Sequence, residues 1–258
     1  MCKTCHRIAA LVTAAGLVVA AAPSVAAPVA FTWIPGGASP ALGGSAFTAD
    51  TIFTTNVLVD VGQPDGTGAT RNIAVLTGFG LGGTPVTPSG FGTSYGLYFD
   101  IADTHTLGPP PEIIRLSSVN AALKVDPGNQ NGAAFATVGG VGFANTGATG
   151  EADDITLATG SLVSSSAFLN VVTGVLDADE VVTFNPSSGQ AGFFSGGSSL
   201  LDIFSSNPAN FVTTPQPDGT AITTFNGFTS TAQFVPEPSS APLLLVGLLG
   251  LLPLLRRG

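Results

Sequence analysis

The sequence IFTTNVLVDV, residues 52–61, is rich in β-branched side chains, and Val57, Val59 and Val61 alternate along it. A period of two is typical of a β-strand with one buried face. The same period recurs at residues 73–79 and 95–101. One face carries Ile73, Val75, Thr77 and Phe79 in the first of these, and Tyr95, Leu97, Phe99 and Ile101 in the second. Further strands are predicted at residues 113–119, 121–126, 133–144, 154–163, 167–176, 179–184, 209–214, 220–225 and 228–234.

Turn-forming residues separate many of these strands. They are Pro64-Asp65-Gly66, Asp126-Pro127-Gly128, Asn185-Pro186 and Pro217-Asp218-Gly219. Residues 63–67 and 216–220 share the sequence Gln-Pro-Asp-Gly-Thr, and we expect a hairpin turn at each. With 34 Gly, 19 Pro and 9% charged residues, the chain lacks the residues that populate helix surfaces, while 17 Phe exclude a solvated coil. We therefore predict an all-β fold, an antiparallel sandwich or barrel.

The first 26 residues have the pattern of a secretory signal peptide. Lys3 and Arg7 precede an apolar run at residues 8–22, and small residues favour cleavage after Ala26. The segment CKTCH, residues 2–6, fits the C-x-x-C-H pattern for haem attachment. Because cleavage removes it, we interpret the match as accidental. The exported body then has no cysteine, so we expect no disulfide and no thiolate metal site in it. We also expect no cofactor.

The last 24 residues, VPEPSSAPLLLVGLLGLLPLLRRG, combine three features. The triplet Pro236, Glu237 and Pro238 comes first, an apolar segment at 239–255 follows, and Arg256 and Arg257 end it as a membrane stop. The apolar segment is short for a membrane-spanning helix, which takes ~20 residues, but it can cross a thin bilayer.

This arrangement closely resembles the PEP-CTERM sorting tail of Gram-negative bacteria that make exopolysaccharide. The resemblance implies that an exosortase in the inner membrane recognises Pro236, Glu237 and Pro238 and processes the protein during export. An ordinary C-terminal anchor that follows Pro-Glu-Pro by chance is the alternative. We thus divide the chain into a signal peptide (1–26), a β-rich extracytoplasmic body (27–234) and a sorting tail (235–258).

Segments of the body are also similar to the flocculation-associated PEP-CTERM proteins of floc-forming bacteria. They are FTADTIFTTNVLVDV (47–61), LTGFGLGGTPVTPSGFGTSYGLYFDI (76–101), DDITLATGSLV (153–163) and VVTFNPSSGQAGFF (181–194). The resemblance implies a protein that acts outside the cell with secreted polysaccharide and helps cells to stay together. It supplies no catalytic residues to carry over.

The charge of the body argues against nucleic-acid binding. The chain has 7 Lys+Arg and 16 Asp+Glu, but only Arg71, Arg115 and Lys124 are cations outside the two terminal segments, so the body has a net charge of about −12. Binding to phosphate needs clustered Lys and Arg. Self-repulsion that keeps the protein soluble, or attraction of divalent cations, remains as the role of the acidic residues.

The candidates for chemistry are few. The body has one histidine, His105, which we expect in a solvated loop ahead of three prolines, without a G-x-S-x-G serine to pair with. The acidic pairs Asp153-Asp154 and Asp177-Ala178-Asp179-Glu180 are candidates for glycosidase acids or for Ca²⁺ ligands, but a solvated turn is the plainer interpretation. We expect core packing for Trp33, Tyr95 and Tyr98, with a shallow sugar contact at Trp33 or Tyr98 left open.

We therefore expect a non-enzymatic exported protein with no catalytic or metal site. Its expected partners are the Sec machinery, signal peptidase, exosortase and extracellular polysaccharide, with the inner membrane as a transient anchor. It would act at the cell surface or in the extracellular matrix, in flocculation or biofilm. The alternatives are a secreted carbohydrate-binding module or weak glycan-acting enzyme that uses the same route, and an inert body carried by a sorting tail.

Overall fold

Alternating strands build almost the whole of the described structure, which is 70% strand and 4% helix. The computed structural model describes residues 27–39, 42–108, 113–129, 135–138, 142–145, 152–170, 175–187, 191–208 and 210–237. In chain order its elements are β1 (Phe31–Trp33), α1 (Pro35–Ala38), β2 (Phe47–Ala49), β3 (Thr51–Gly62), β4 (Thr67–Leu81), β5 (Thr84–Val86), β6 (Tyr95–Leu107), β7 (Ile113–Pro127), β8 (Phe135–Val138), β9 (Gly142–Asn145), β10 (Ile155–Asn170), β11 (Val175–Thr183), β12 (Asn185–Pro186), a 3₁₀ helix (Ala191–Phe193), β13 (Phe194–Gly196), β14 (Leu200–Pro208), β15 (Asn210–Pro215) and β16 (Ala221–Val235).

Eight long antiparallel strands close into a barrel. Around the wall their order is β3, β4, β6, β7, β10, β11, β14 and β16, and β16 pairs again with β3. Closure removes the exposed edges that an open sheet would leave. The all-β prediction is confirmed, and of the two architectures that the sequence allowed, the structure has the barrel.

The short elements cover one end of the barrel. A three-stranded sheet in the order β13, β1, β2 packs there, and its aromatic residues join the main core. Rings within 6 Å of one another fill this end: Phe31, Trp33, Phe47, Phe79, Phe91, Phe184, Phe193, Phe194 and Phe234. We call it the aromatic end. Pairs at these distances contribute beyond the apolar area that they bury.

The inward face of β6 confirms one predicted pattern: Tyr95, Leu97, Phe99 and Ile101 all belong to the core. On β3 the inward residues are the even ones, such as Ile52 and Thr54, which are buried. The alternating valines of residues 52–61 therefore lie on the outer face, so the pattern located the strand but not its inner side. Strand β4 has a bulge at Thr77, because Phe53 pairs with Gly78 while Thr54 pairs with Leu76. The bulge brings Phe79 onto the inner face of the barrel, whereas Ile73 lies on the outer face.

Two pairs of predicted strands are each one continuous strand in the structure. Residues 113–119 and 121–126 form the single strand β7, and residues 220–225 and 228–234 form β16. In β16 the register shifts between Asn226 and Phe228, and the intervening Gly227 has a φ of 72°, which suits glycine. The local composition predicts two separate strands in each case, but pairing with the neighbouring strands of the barrel makes each one continuous strand.

The predicted signal peptide and the apolar segment at 239–255 lie outside the described residues. Within the part of the chain that the structure describes, no helix is both long and apolar enough to cross a membrane.

Candidate functional site

The sorting triplet begins directly after the last barrel strand. Strand β16 ends at Val235, which pairs with Leu200, and Pro236 and Glu237 follow as exposed residues. The Ser199 hydroxyl donates a hydrogen bond of 2.7 Å to Glu237 Oε1. The described part of the triplet is therefore held at the rim of the aromatic end. Pro238, Arg256 and Arg257 lie outside the described residues.

The other boundary of the body lies at the same rim. The predicted cleavage residue, Ala26, is outside the described residues, but residues 27–30 are described. The backbone N–H of Val29 donates to the carbonyl of Phe234 at 2.8 Å, and the rings of Phe31 and Phe234 are 5.1 Å apart. The residues that follow the predicted signal peptide thus contact the residues that precede the triplet.

The tryptophan at the aromatic end does not expose its ring to solvent. Trp33 has 0% of its surface exposed and makes edge contacts with Phe79 and Phe193. Tyr98 lies on the outer wall but is only 2% exposed, and its hydroxyl donates to Asp154. The shallow sugar contact that the sequence left open at Trp33 or Tyr98 is therefore wrong, because both rings are already covered.

The opposite end of the barrel has a polar interior. His105 is only 4% exposed and is a residue of β6, so the expectation of a solvated loop histidine is wrong. Its Nδ1 lies 3.3 Å from Asp103 Oδ1, and its Nε2 lies 3.4 Å from Asp60 Oδ1. Asp103 also accepts a hydrogen bond from the Thr70 hydroxyl. The missed signal was the alternation of β6, which continues from Ile101 through Asp103 to His105.

The ionisation of this group follows from its contacts. The hydrogen bond to Asp103 raises the pKa of His105, burial lowers it, and the Asp60 carboxylate raises it again. Burial raises the pKa of Asp60 to about 6, against the attraction of His105. Glu180, which faces inward from β11, has a pKa that burial and then the Asp103 charge raise to about 7.

This buried group holds charge but is not arranged for acyl transfer. Both nitrogens of His105 face carboxylates, and the Thr70 hydroxyl contacts Asp103 rather than the imidazole. A nucleophile activated by histidine has to lie within hydrogen-bond reach of a ring nitrogen. Gly68 lies opposite His105, and a Cβ there would overlap the ring, so the imidazole packs on bare backbone.

The acidic pairs that the sequence singled out do not converge. Alternation on β11 turns Asp177 and Asp179 to the outer wall and Glu180 to the interior, because Glu180 shares its face with the buried Val182. Burial raises the pKa of Asp154 on the outer wall, and the Tyr98 hydroxyl opposes that shift. No three His, Cys, Asp or Glu side chains among the described residues form a group that could hold a metal ion.

Two of the three body cations share one carboxylate. Arg71 Nε and Nη2 each donate to Asp100 at 2.9 Å, and Lys124 Nζ donates to it at 3.0 Å. Burial acts to raise the pKa of Asp100, but the hydrogen bonds and charges of Arg71 and Lys124 together outweigh it, so this pKa lies below its ordinary value. Lys124 also lies 5.6 Å from the centre of the Tyr98 ring. These cations are engaged by the protein itself on the outer wall.

Comparison of the chain with models of protein families, with curated proteins and with solved structures finds no match.

Proposed function

We propose that this chain is a non-enzymatic exported protein, sorted by an exosortase, that acts as a matrix or cell-surface component in flocculation or biofilm together with exopolysaccharide. The observation that supports it best is the meeting of both body boundaries at the aromatic end. Val29 bonds to Phe234, and Pro236 follows Val235 without a spacer.

The arrangement suits a body that is attached to a membrane at both chain ends. A signal peptide before residue 27 and an apolar tail after Pro238 would leave the barrel by the same rim. The barrel can then fold outside the cytoplasm without pulling either segment from the bilayer. A membrane enzyme would meet the triplet at the rim, with proline restricting the residue before it to extended backbone.

The body itself supports a structural role. Its long strands close without a free edge, and its interior is packed mainly with apolar side chains, together with hydrogen-bonded polar groups such as Asn56 and Ser230. Hydroxyl pairs line the outer surface, for example Thr213 with Thr223 at 3.0 Å and Thr104 with Ser118 at 2.8 Å. Such hydroxyl pairs offer hydrogen-bond donors and acceptors to hydrated polymers.

The test is the settled floc volume of a strain that lacks the gene. We expect the deletion to disperse the cells, the full gene to restore settling, and a gene ending at Val235 to fail. A full gene with Ser199→Ala is the matched control, because it loses the hydrogen bond to Glu237 but keeps the tail. Normal flocculation of the deletion strain would contradict the proposed role.

A further inference from the structure

Two exposed phenylalanines flank one threonine on the outer wall. Phe53 of β3 and Phe204 of β14 are both register partners of Thr231 on β16, so the three residues form one row across adjacent strands. The two rings are 39% and 47% exposed. Two exposed Phe rings in one row form a small apolar patch on the outer wall, and an apolar patch at the surface is a candidate contact surface.

The wall beside Phe53 lacks side chains on the β4 side. Phe53 pairs with Gly78, and a Cβ added to Gly80 would lie 3.3 Å from Phe53 Cε2. The ring therefore lies over the glycines of β4. Neighbouring strands are about 4.8 Å apart, which puts the backbones of Phe53 and Phe204 roughly 10 Å apart across β16.

A polar row runs beside the aromatic row. Asp202, Gln233 and Thr51 are successive register partners on β14, β16 and β3, and Gln233 Nε2 donates to Thr51 Oγ1 at 3.2 Å. Asp202 forms a hydrogen bond with Asp179, the neighbour of Phe204 on β11, and burial raises the pKa of Asp202 to about 6. The Oδ1 atom of Asp202 is buried and accepts no hydrogen bond from the described residues. We call these two rows, Phe53–Thr231–Phe204 and Thr51–Gln233–Asp202, the aromatic platform.

We propose that the aromatic platform binds an extended, uncharged polysaccharide chain, whose sugar rings stack on Phe53 and Phe204 while its hydroxyls bond to Asp202 and Gln233. Sugar rings present flat C–H faces to aromatic rings and hydroxyls to amides and carboxyls, which is the combination that the two rows offer. The inference rests on the proposed function and names the surface through which it would operate.

Charge and area decide between this occupant and others. The platform and its neighbour Asp179 carry two carboxyl groups and no lysine or arginine, which disfavours an acidic polymer. The exposed parts of the two rings amount to roughly 170 Å², taking about 200 Å² for each aromatic residue. A stable protein partner, including a second copy of this chain, needs about 800 Å² on each side.

The test is native gel electrophoresis of the full-length chain in a detergent without a sugar head group. Hydroxyethylcellulose serves as the uncharged polymer and alginate as the acidic one. We expect hydroxyethylcellulose to retard the wild type and alginate not to. The double variant F53A/F204A should bind the uncharged polymer at least tenfold more weakly, since both stacking contacts are lost.

The matched control is V163A/V212A, which truncates two exposed side chains elsewhere on the barrel, 53% and 67% exposed, and should bind like the wild type. Absence of retardation by hydroxyethylcellulose, equal retardation of F53A/F204A and wild type, or retardation by alginate alone would overturn the inference. The inference would also be overturned if the wild type formed a dimer, F53A/F204A were a monomer, and polysaccharide changed the migration of neither protein. If the polymer bound through the platform but the deletion strain flocculated normally, only the proposed function would be contradicted. If the deletion strain failed to flocculate but the polymer did not bind through the platform, only the platform would be contradicted.

Discussion

Gly219 packs against Pro64, so that the two identical Gln-Pro-Asp-Gly-Thr turns touch: a Cβ on Gly219 would lie 3.2 Å from Pro64 Cγ. The turns have matching hydrogen bonds. Gly66 donates to the Gln63 carbonyl at 3.0 Å and Gly219 to that of Gln216 at 3.1 Å, while Thr67 and Thr220 each donate twice to the aspartate two residues earlier. Both predicted hairpin turns are confirmed, and the repeated sequence encodes a repeated geometry.

Substitution of Gly219 should therefore cost more than substitution of Gly66. Both glycines have positive φ, 87° and 81°, so alanine at either position should destabilise by about 1–2 kcal/mol. Gly219→Ala additionally crowds Pro64, whereas the nearest atom to a Cβ at Gly66 is the Leu107 carbonyl oxygen at 3.9 Å. Urea unfolding of the two variants measures the difference. Equal losses would show that the contact between the turns carries no strain.

The buried hydrogen-bond network of β3 and β16 should be sensitive to truncation. Asn56 is fully buried, and its Nδ2 donates to Ser230 Oγ at 2.8 Å while its Oδ1 accepts from Thr54 Oγ1 at 3.0 Å. Asn56→Ala should destabilise the barrel by about 3 kcal/mol, because it leaves buried hydroxyls short of partners and opens a cavity.

Ser230→Ala is the companion variant for a double-mutant cycle. Because it removes a smaller group from the same network, we expect Ser230→Ala to lower the free energy of unfolding by about 1–2 kcal/mol. In the double variant we expect the loss to be smaller than the sum of the two single losses. Additive losses, measured by urea unfolding, would show that the two residues act independently.

The barrel should be more stable in mild acid than in mild base. Asp60 and Glu180 have pKa values of about 6 and about 7 in the folded protein, above their ordinary values, so the folded state binds more protons than the unfolded state between about pH 4 and pH 7. Their effect is to lower the free energy of unfolding as the pH rises. His105 has the same sign, because its raised pKa gives stability that is lost as the pH rises through the folded value. Asp100, with a lowered pKa, acts oppositely, but in more acidic solution.

Glu180→Gln isolates the largest of these effects. The amide cannot ionise, so the variant should be more stable than the wild type at pH 8, by up to about 3 kcal/mol, and similar to it at pH 5. Unfolding midpoints of both proteins across this range measure it. An unchanged pH dependence in Glu180→Gln would mean that Glu180 is ionised in the folded barrel at neutral pH without penalty.

The sorting proposal makes a prediction about Glu237. Glu237→Gln keeps the shape of the side chain but removes the charge of the triplet, and we expect it to block processing, so that the protein keeps the mass of the unprocessed form. Ser199→Ala leaves the triplet intact and should be processed normally. Mass spectrometry of the exported protein distinguishes the forms. Normal processing of Glu237→Gln would show that the exosortase does not recognise the carboxylate.

The strands could be predicted from the sequence where apolar and polar residues alternate without interruption. The pairing between strands could not be predicted. Residues 95–101 identified both the strand and its inner face, because β6 has no bulge of its own. The phase of β4 changes at Thr77, where the bulge depends on the register with β3. Strand β14 was missed although Leu201, Ile203 and Ser205 alternate inward, because its second half is polar and reads as a loop.

The candidate surfaces depend on pairings between distant parts of the chain, which local patterns do not encode. Phe53 and Phe204 become neighbours only through Thr231. The contact of His105 with Asp60 needs β4 to lie between their strands. The predicted triplet, in contrast, is a contiguous motif, and the structure adds only its position at the barrel rim.

The pairing of β3 with β16 also sets an order of events in time. The partners Thr51 and Gln233 stand near opposite ends of the body, so the ring of strands cannot complete until nearly the whole body has been delivered to one compartment. Contacts between such distant segments make folding slow. In an exported chain the last strand emerges immediately ahead of the apolar tail, so the tail would already be entering the bilayer when the barrel closes. Folding would then finish on a chain that has stopped moving, and any processing at the rim would act on a completed barrel.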